Sequence, residues 1–165
     1  MMSPTMAKPA KKDDKSGLVA VNKKAYYNFE LVEKFEAGME LRGSEVKSLR
    51  NGQADLVGSY ARIMGEQCWL VGANIALYEQ AGMMNHDPMR KRKLLMHKSE
   101  IHKITVKLEQ RGFTLVPLRI YFNDRGFAKI QLALGRGKRQ YDKRSTLAAK
   151  QQKRDLSRDM KKYRR

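Results

Sequence analysis

The sequence predicts a small, mainly β domain: a closed or partly open barrel of about six short strands, two or three helices packed on it, and a basic arm behind it. Three observations carry this. Short stretches alternate apolar and polar residues between turns rich in glycine, asparagine and aspartate, as hairpins do. Strand and helix runs are separate, with glycines at the bends. From Arg136 onward apolar residues become sparse, and 13 Lys or Arg stand against three acids over 136–165, a net charge of +10.

Charge sets the class of partner. The 165 residues carry 35 Lys or Arg against 17 acids, a net of +18, and more than half of that excess lies in the last 30 residues. An arm of this composition cannot bury enough apolar surface to fold alone and repels itself. Its default partner is a polyanion, and nucleic acid above all. The single cysteine, Cys68, excludes an intramolecular disulfide framework and a multi-cysteine zinc site, and suits a reducing cytosol. No apolar run approaches the roughly 20 residues needed to cross a bilayer, and the N-terminus has no secretory h-region.

Taken in order, residues 1–17 read as a disordered leader, and order is expected from Leu18-Val19-Ala20-Val21. Asn22-Lys23-Lys24 is a solvated turn or a phosphate contact. Tyr26 to Glu33 is rich in aromatic and β-branched residues and reads as a strand; Phe35 to Leu41 continues it, bent at Gly38. Gly43 to Gly52 reads as a short helix, with Ser44 as its cap and Gly52 as its left-handed stop. Val46 and Leu49 would face the core there, with Lys47 and Arg50 forming a basic patch on another face.

Leu56–Met64 and Gln67–Ile75 form a hairpin turned at Gly65-Glu66. Trp69, flanked by Cys68 and Leu70, is assigned to the core rather than to a stacking platform. Gln80 to Asp87 is a loop. Asp87-Pro88 reads as a helix entry, which would place Arg90-Lys91-Arg92-Lys93 along a rigid basic helix edge. Ser99 to Gln110 is a helix with Ile101, Ile104 and Leu108 as its buried stripe, closed by Gly112. Phe113–Phe122 and Phe127–Leu134 are strands around the turn Asn123-Asp124-Arg125-Gly126.

Catalytic patterns are missing. His86, His97 and His102 have no metal-ligand spacing. Gly135-Arg136-Gly137 precedes a cationic arm, without the strand–helix unit of a phosphate loop. Glu36, Glu40 and Glu45 offer no reason to converge on a metal, and structural roles suit them better.

The run Glu36 to Arg50 closely resembles the SsrA-binding protein family (small protein B). So do Gly72-Ala73-Asn74-Ile75, the run Asp87 to Leu95, and Gly137 to Arg144. The resemblance covers the chain from about Leu18 to its end, and four motifs in the same order make it specific. The resemblance implies an oligonucleotide-binding (OB-fold) barrel over 18–135 and a basic tail over 136–165, disordered when free and helical on the ribosome. It implies a non-enzymatic cytoplasmic factor without cofactor or metal, monomeric and one-to-one with its RNA. That RNA is the tRNA-like domain of transfer-messenger RNA (tmRNA, SsrA RNA), which the family delivers to ribosomes stalled on truncated message. Elongation factor Tu with alanyl-tmRNA is a further implied partner. The tail is implied to occupy the empty mRNA channel near the decoding centre.

By position, the resemblance ties Asn22, Glu36, Leu95 and Lys129 to tmRNA binding. Lys23, Lys47, Arg50, Arg92 and Lys93 fall beside them and are placed in the same surface. It ties Gly137, Lys138, Arg139, Tyr141, Asp142, Lys143 and Arg144 to the decoding centre. Some family members carry histidine where this chain has Tyr141; both rings are flat and stack on a base. An acid such as Glu36 in an RNA site either accepts from a base amino group or orients a neighbouring lysine. Two other classes compete: a ribosomal protein or initiation factor of the same barrel type, which would bind ribosomes without tmRNA, and a metal-dependent nuclease.

Overall fold

A computed structural model describes residues 17–110, 112–139, 147–156 and 160. The elements run β1 (Leu18–Val21), α1 (Lys23–Asn28), β2 (Phe29–Met39), α2 (Gly43–Arg50), β3 (Ala54–Asp55), β4 (Tyr60–Met64), β5 (Gln67–Val71) and β6 (Asn74–Ile75). After a 3-10 segment over Glu79–Met84 come β7 (Arg92–Leu95), α3 (Lys98–Glu109), β8 (Phe113–Phe122) and β9 (Ala128–Gly137). A further helix, α4, covers 147–156. No described helix is long and apolar enough to cross a membrane.

Six strands close on themselves in the order β8-β4-β5-β7-β2-β9, with β9 pairing back onto β8 and β1 lying along β8. All pairings are antiparallel. Period-two alternation fills the interior: Phe35, Ala37 and Met39 of β2, Cys68 and Leu70 of β5, Leu94 of β7, and Ile130, Leu132 and Leu134 of β9 share one buried cluster. Helix α2 adds Leu49 to that cluster and α3 adds Ile104. Burial raises the Cys68 thiol to about 11, so this cysteine is a small hydrophobe rather than a nucleophile. A second, smaller core forms outside the barrel, where Ala25 of α1 meets Val116, Leu118 and Ala133. Gly135 permits this packing: a Cβ there would lie 3.0 Å from Phe29 Cβ.

The hairpin β4–β5 turns at Gly65-Glu66, both at positive φ (54° and 57°), as a two-residue turn that follows the strand twist requires. Helix α3 buries Ile101 and Ile104, as their spacing predicts, and Lys103 and Lys107 pin it to Glu33 of β2. These two cations also hold the Glu33 carboxyl below its ordinary range.

Four expectations are corrected. Tyr26 and Tyr27 lie in α1, not in a strand, because the buried Asn22 Oδ1 accepts the Ala25 N–H and starts a helical turn. Ser44 does not cap α2; its hydroxyl pairs with His86 Nδ1 at 2.9 Å, and the Arg42 N–H donates instead to Glu45 Oε2 at 2.7 Å. Asp87 does cap a turn, accepting from Met89 N–H at 3.0 Å, but no helix follows. Arg92–Leu95 is a strand, so the four cations do not share one edge. Trp69 points outward, because Cys68 and Leu70 take the inward positions on either side of it.

Candidate nucleic-acid interface

The barrel's outer wall gathers residues that lie far apart in sequence. Gly38 of β2 is in register with Leu95 of β7 on one side and Lys129 of β9 on the other, and Lys129 is in register with Tyr121 of β8. One position along β2 on the same face, Glu36 faces Gln131, which faces Arg119. In the opposite direction Lys93, Trp69 and Arg62 form a third row. All are outward because their neighbours Ala37, Leu94 and Ile130 fill the interior.

Chemistry concentrates where the rows meet. Lys129 Nζ lies 3.6 Å from Glu36 Oε1, and the Tyr121 hydroxyl donates to Glu36 Oε2. Burial and that hydrogen bond push the Tyr121 phenol up to about 12, so it stays a donor at neutral pH. Glu36 thus holds a lysine and a tyrosine against it, the arrangement expected of an acid that orients a neighbouring lysine. Arg119 lies over the Tyr121 ring, 5.4 Å from its centroid. Leu95 is 52% exposed on this wall. An open groove of about 750 Å³ runs past Glu36, Lys93, Leu95, Lys98 and Lys129. A smaller cleft of about 380 Å³ lies between Gly38, Leu95, Arg125, Phe127 and Lys129. Leu95 and Lys129 are the ridge between the two.

The structure therefore joins Glu36, Lys93, Leu95 and Lys129 in one surface. It places the other expected tmRNA contacts differently. Arg92 is not available to a ligand: its side chain has 0% exposure, Nε donates to Glu45 Oε1, Nη1 to the Ala73 carbonyl and Nη2 to the Pro88 carbonyl. Arg90 completes the cluster with a 2.6 Å contact to Glu45 Oε2. Burial alone would raise the Glu45 carboxyl, but Arg90, the Arg42 N–H and Arg92 together hold it below its ordinary range. Asn22 is likewise buried; its side-chain amide donates to the Leu56 and Pro117 carbonyls. Both side chains are therefore buried, where the expectation had placed Arg92 in the RNA surface and tied Asn22 to tmRNA binding.

Lys23, the first residue of α1, is exposed. Lys47 and Arg50 are exposed on α2, the first over the Tyr78 ring at 5.3 Å and the second over the Phe122 ring at 5.9 Å. At the root of the arm, Gly137 pairs with Phe29, Lys138 N–H donates to the Asn28 carbonyl at 2.9 Å, and Arg139 is exposed. Tyr141, Asp142, Lys143 and Arg144 lie outside the described residues. All residues of α4 are exposed.

Sequence reasoning missed Tyr121 and Phe127. Only Phe127 carried a sequence signal, as an aromatic residue directly after a turn; Tyr121 is placed by its register with Lys129 across the β8–β9 pair.

A closed antiparallel barrel with a basic and aromatic outer wall belongs to the class of small β-barrel proteins that bind structured nucleic acid. The family model described as SmpB protein matches residues 19–162, and the chain belongs to that family. An SsrA-binding protein of Symbiobacterium thermophilum is 51% identical over 140 residues, covering 85% of this chain and 89% of the relative. One of Allorhizobium ampelinum is 47% identical over 144 residues, covering 87% and 91%. A solved chain from work described as "tmRNA-SmpB: a journey to the center of the bacterial ribosome" is 48% identical, with a TM-score of 0.63, covering 77% of this chain and 92% of that one.

Proposed function

We propose that this chain binds the tRNA-like domain of tmRNA through the outer barrel wall and brings it to stalled ribosomes for trans-translation. The observation that carries this reading is the convergence of Glu36, Leu95 and Lys129, from three strands, on one exposed surface. A rigid wall with fixed donors suits folded RNA, which is recognised by shape, phosphate and 2′-OH contacts. Lys93 joins that contact, and Lys23, Lys47 and Arg50 give the RNA further positive charge. Asn22 and Arg92 act from inside, by holding α1 and β7.

The chain divides into a leader over 1–17, the barrel over 18–135 and the arm over 136–165. The arm enters the empty message channel as a helix, with Gly137, Lys138, Arg139, Tyr141, Asp142, Lys143 and Arg144 at the decoding centre. Message and arm compete for one groove, which selects stalled ribosomes without any catalytic group. The protein is a cytoplasmic binding factor rather than an enzyme, acts as a monomer with one tmRNA, and meets elongation factor Tu on alanyl-tmRNA. Truncation after Arg139 tests the division of labour: tmRNA affinity is retained and accommodation on stalled ribosomes is lost. Loss of tmRNA affinity on truncation overturns it.

A further inference from the structure

The smaller cleft has no part in the interface built from the family motifs, yet it shares the Leu95–Lys129 ridge with that interface. Its far wall is Phe127, a residue 64% exposed. The backbone that carries this ring is held in a hydrogen-bonded turn. Phe127 N–H donates to Asn123 Oδ1 at 2.8 Å and Asn123 N–H donates to the Phe127 carbonyl at 3.0 Å. Gly126 N–H closes the turn on the Asn123 carbonyl at 2.8 Å, with a φ of +79° that favours glycine there. The floor is Gly38, where an added Cβ would stand 3.4 Å from Leu95 Cβ and begin to fill the space. Two cations, Arg125 and Lys129, line the same cleft, and no acid does.

An exposed aromatic ring on a hydrogen-bonded turn, beside an apolar floor and two cations, matches one ligand chemistry. An unstacked base needs a flat platform, and its flanking phosphates need positive charge. We propose that the cleft between Leu95 and Phe127 binds one unpaired nucleotide of the RNA. Phe127 is the stacking platform, Gly38 leaves room for the base, and Arg125 contacts a phosphate. The inference rests on the RNA reading of the adjoining wall and adds Gly38, Arg125 and Phe127 to it.

The test is binding of the full chain to the tRNA-like domain of tmRNA, with an elongator tRNA alongside. Thermal melting checks each variant, and Phe127, outside the core, is expected to leave the melting temperature unchanged. Phe127→Ala and Phe127→Leu each weaken binding by about tenfold or more, whereas Phe127→Trp retains it. A ring requirement of this kind is not what a merely apolar contact would show. Gly38→Val, which fills the floor, weakens binding with Phe127 intact. Arg125→Ala lowers the log–log salt slope by roughly 0.7. If the unmodified chain prefers tmRNA while Phe127→Ala or Phe127→Leu binds equally well, the cleft proposal fails alone. If the unmodified chain shows no such preference, the RNA reading fails and takes the cleft with it.

Discussion

Arg92 of β7 donates through Nε to Glu45 Oε1 of α2 at 2.8 Å, and both side chains are fully buried. The pair fastens α2 to the strand that presents Lys93 and Leu95 outward. Removing one member of a buried pair strands the other charge and costs about 3–5 kcal/mol, whereas replacing both by apolar groups costs far less. Glu45→Leu, which leaves the buried Arg92 without its carboxylate, is therefore expected to destabilise the barrel by that amount, Arg92→Leu by less because Arg90 stays on Glu45, and the double change by clearly less than the two single changes together. Denaturant unfolding of the four chains measures the coupling; additive losses would contradict it.

Acid should loosen the same joint. The folded chain holds the Glu45 carboxyl below its ordinary range, so the unfolded chain binds more protons as pH falls. The stability contributed by ionised Glu45 is present at neutral pH and is lost as pH drops below about 4. Glu33, held low by Lys103 and Lys107, acts in the same direction. Melting temperature against pH is expected to fall steeply in this range for the unmodified chain. Glu45→Gln is expected to start lower and fall less steeply; equal slopes would rule out the role given to Glu45.

Glu36→Ala separates orientation from bulk charge. The change makes the RNA surface more positive by one unit, so general attraction alone predicts tighter binding. With Lys129 and the Tyr121 hydroxyl released, specific binding is expected to weaken about tenfold, at roughly 1.4 kcal/mol, while the salt slope stays nearly constant. Tighter binding by Glu36→Ala would contradict the orienting role.

Asn22→Ala removes an N-cap and two buried side-chain donations. A loss of about 2–3 kcal/mol is expected from chemical unfolding. Because Asn22 does not reach solvent, RNA affinity measured well below the melting temperature is expected to change little. A large loss of affinity with unchanged stability would return Asn22 to the RNA surface.

The barrel was legible where local chemistry decides structure. Gly65-Glu66, Gly52 and the 123–126 turn sit where the chain must reverse or stop, and Ile101 and Ile104 mark the α3 face by spacing alone. It was illegible where a distant partner decides. Nothing near Arg92 in sequence tells that Glu45 lies against it, so four adjacent cations looked like one face although the strand sends Arg92 inward and Lys93 outward. Trp69 was misplaced because its apolar neighbours Cys68 and Leu70 suggested the core, while the parity they set turned it out. Of the interface, the family resemblance marked Glu36, Leu95 and Lys129 by position. Their convergence, and the contributions of Tyr121 and Gly38, needed the strand register.

The most direct measurement is competition between tmRNA and an elongator tRNA for the purified chain, by mobility shift at low and at higher salt. Recognition by a shaped wall predicts a preference for tmRNA that survives the higher salt, as shape and oriented contacts add to the counterion term. Equal binding of both RNAs that collapses with salt would mean that the charge of +18 alone accounts for the affinity, and would contradict the account.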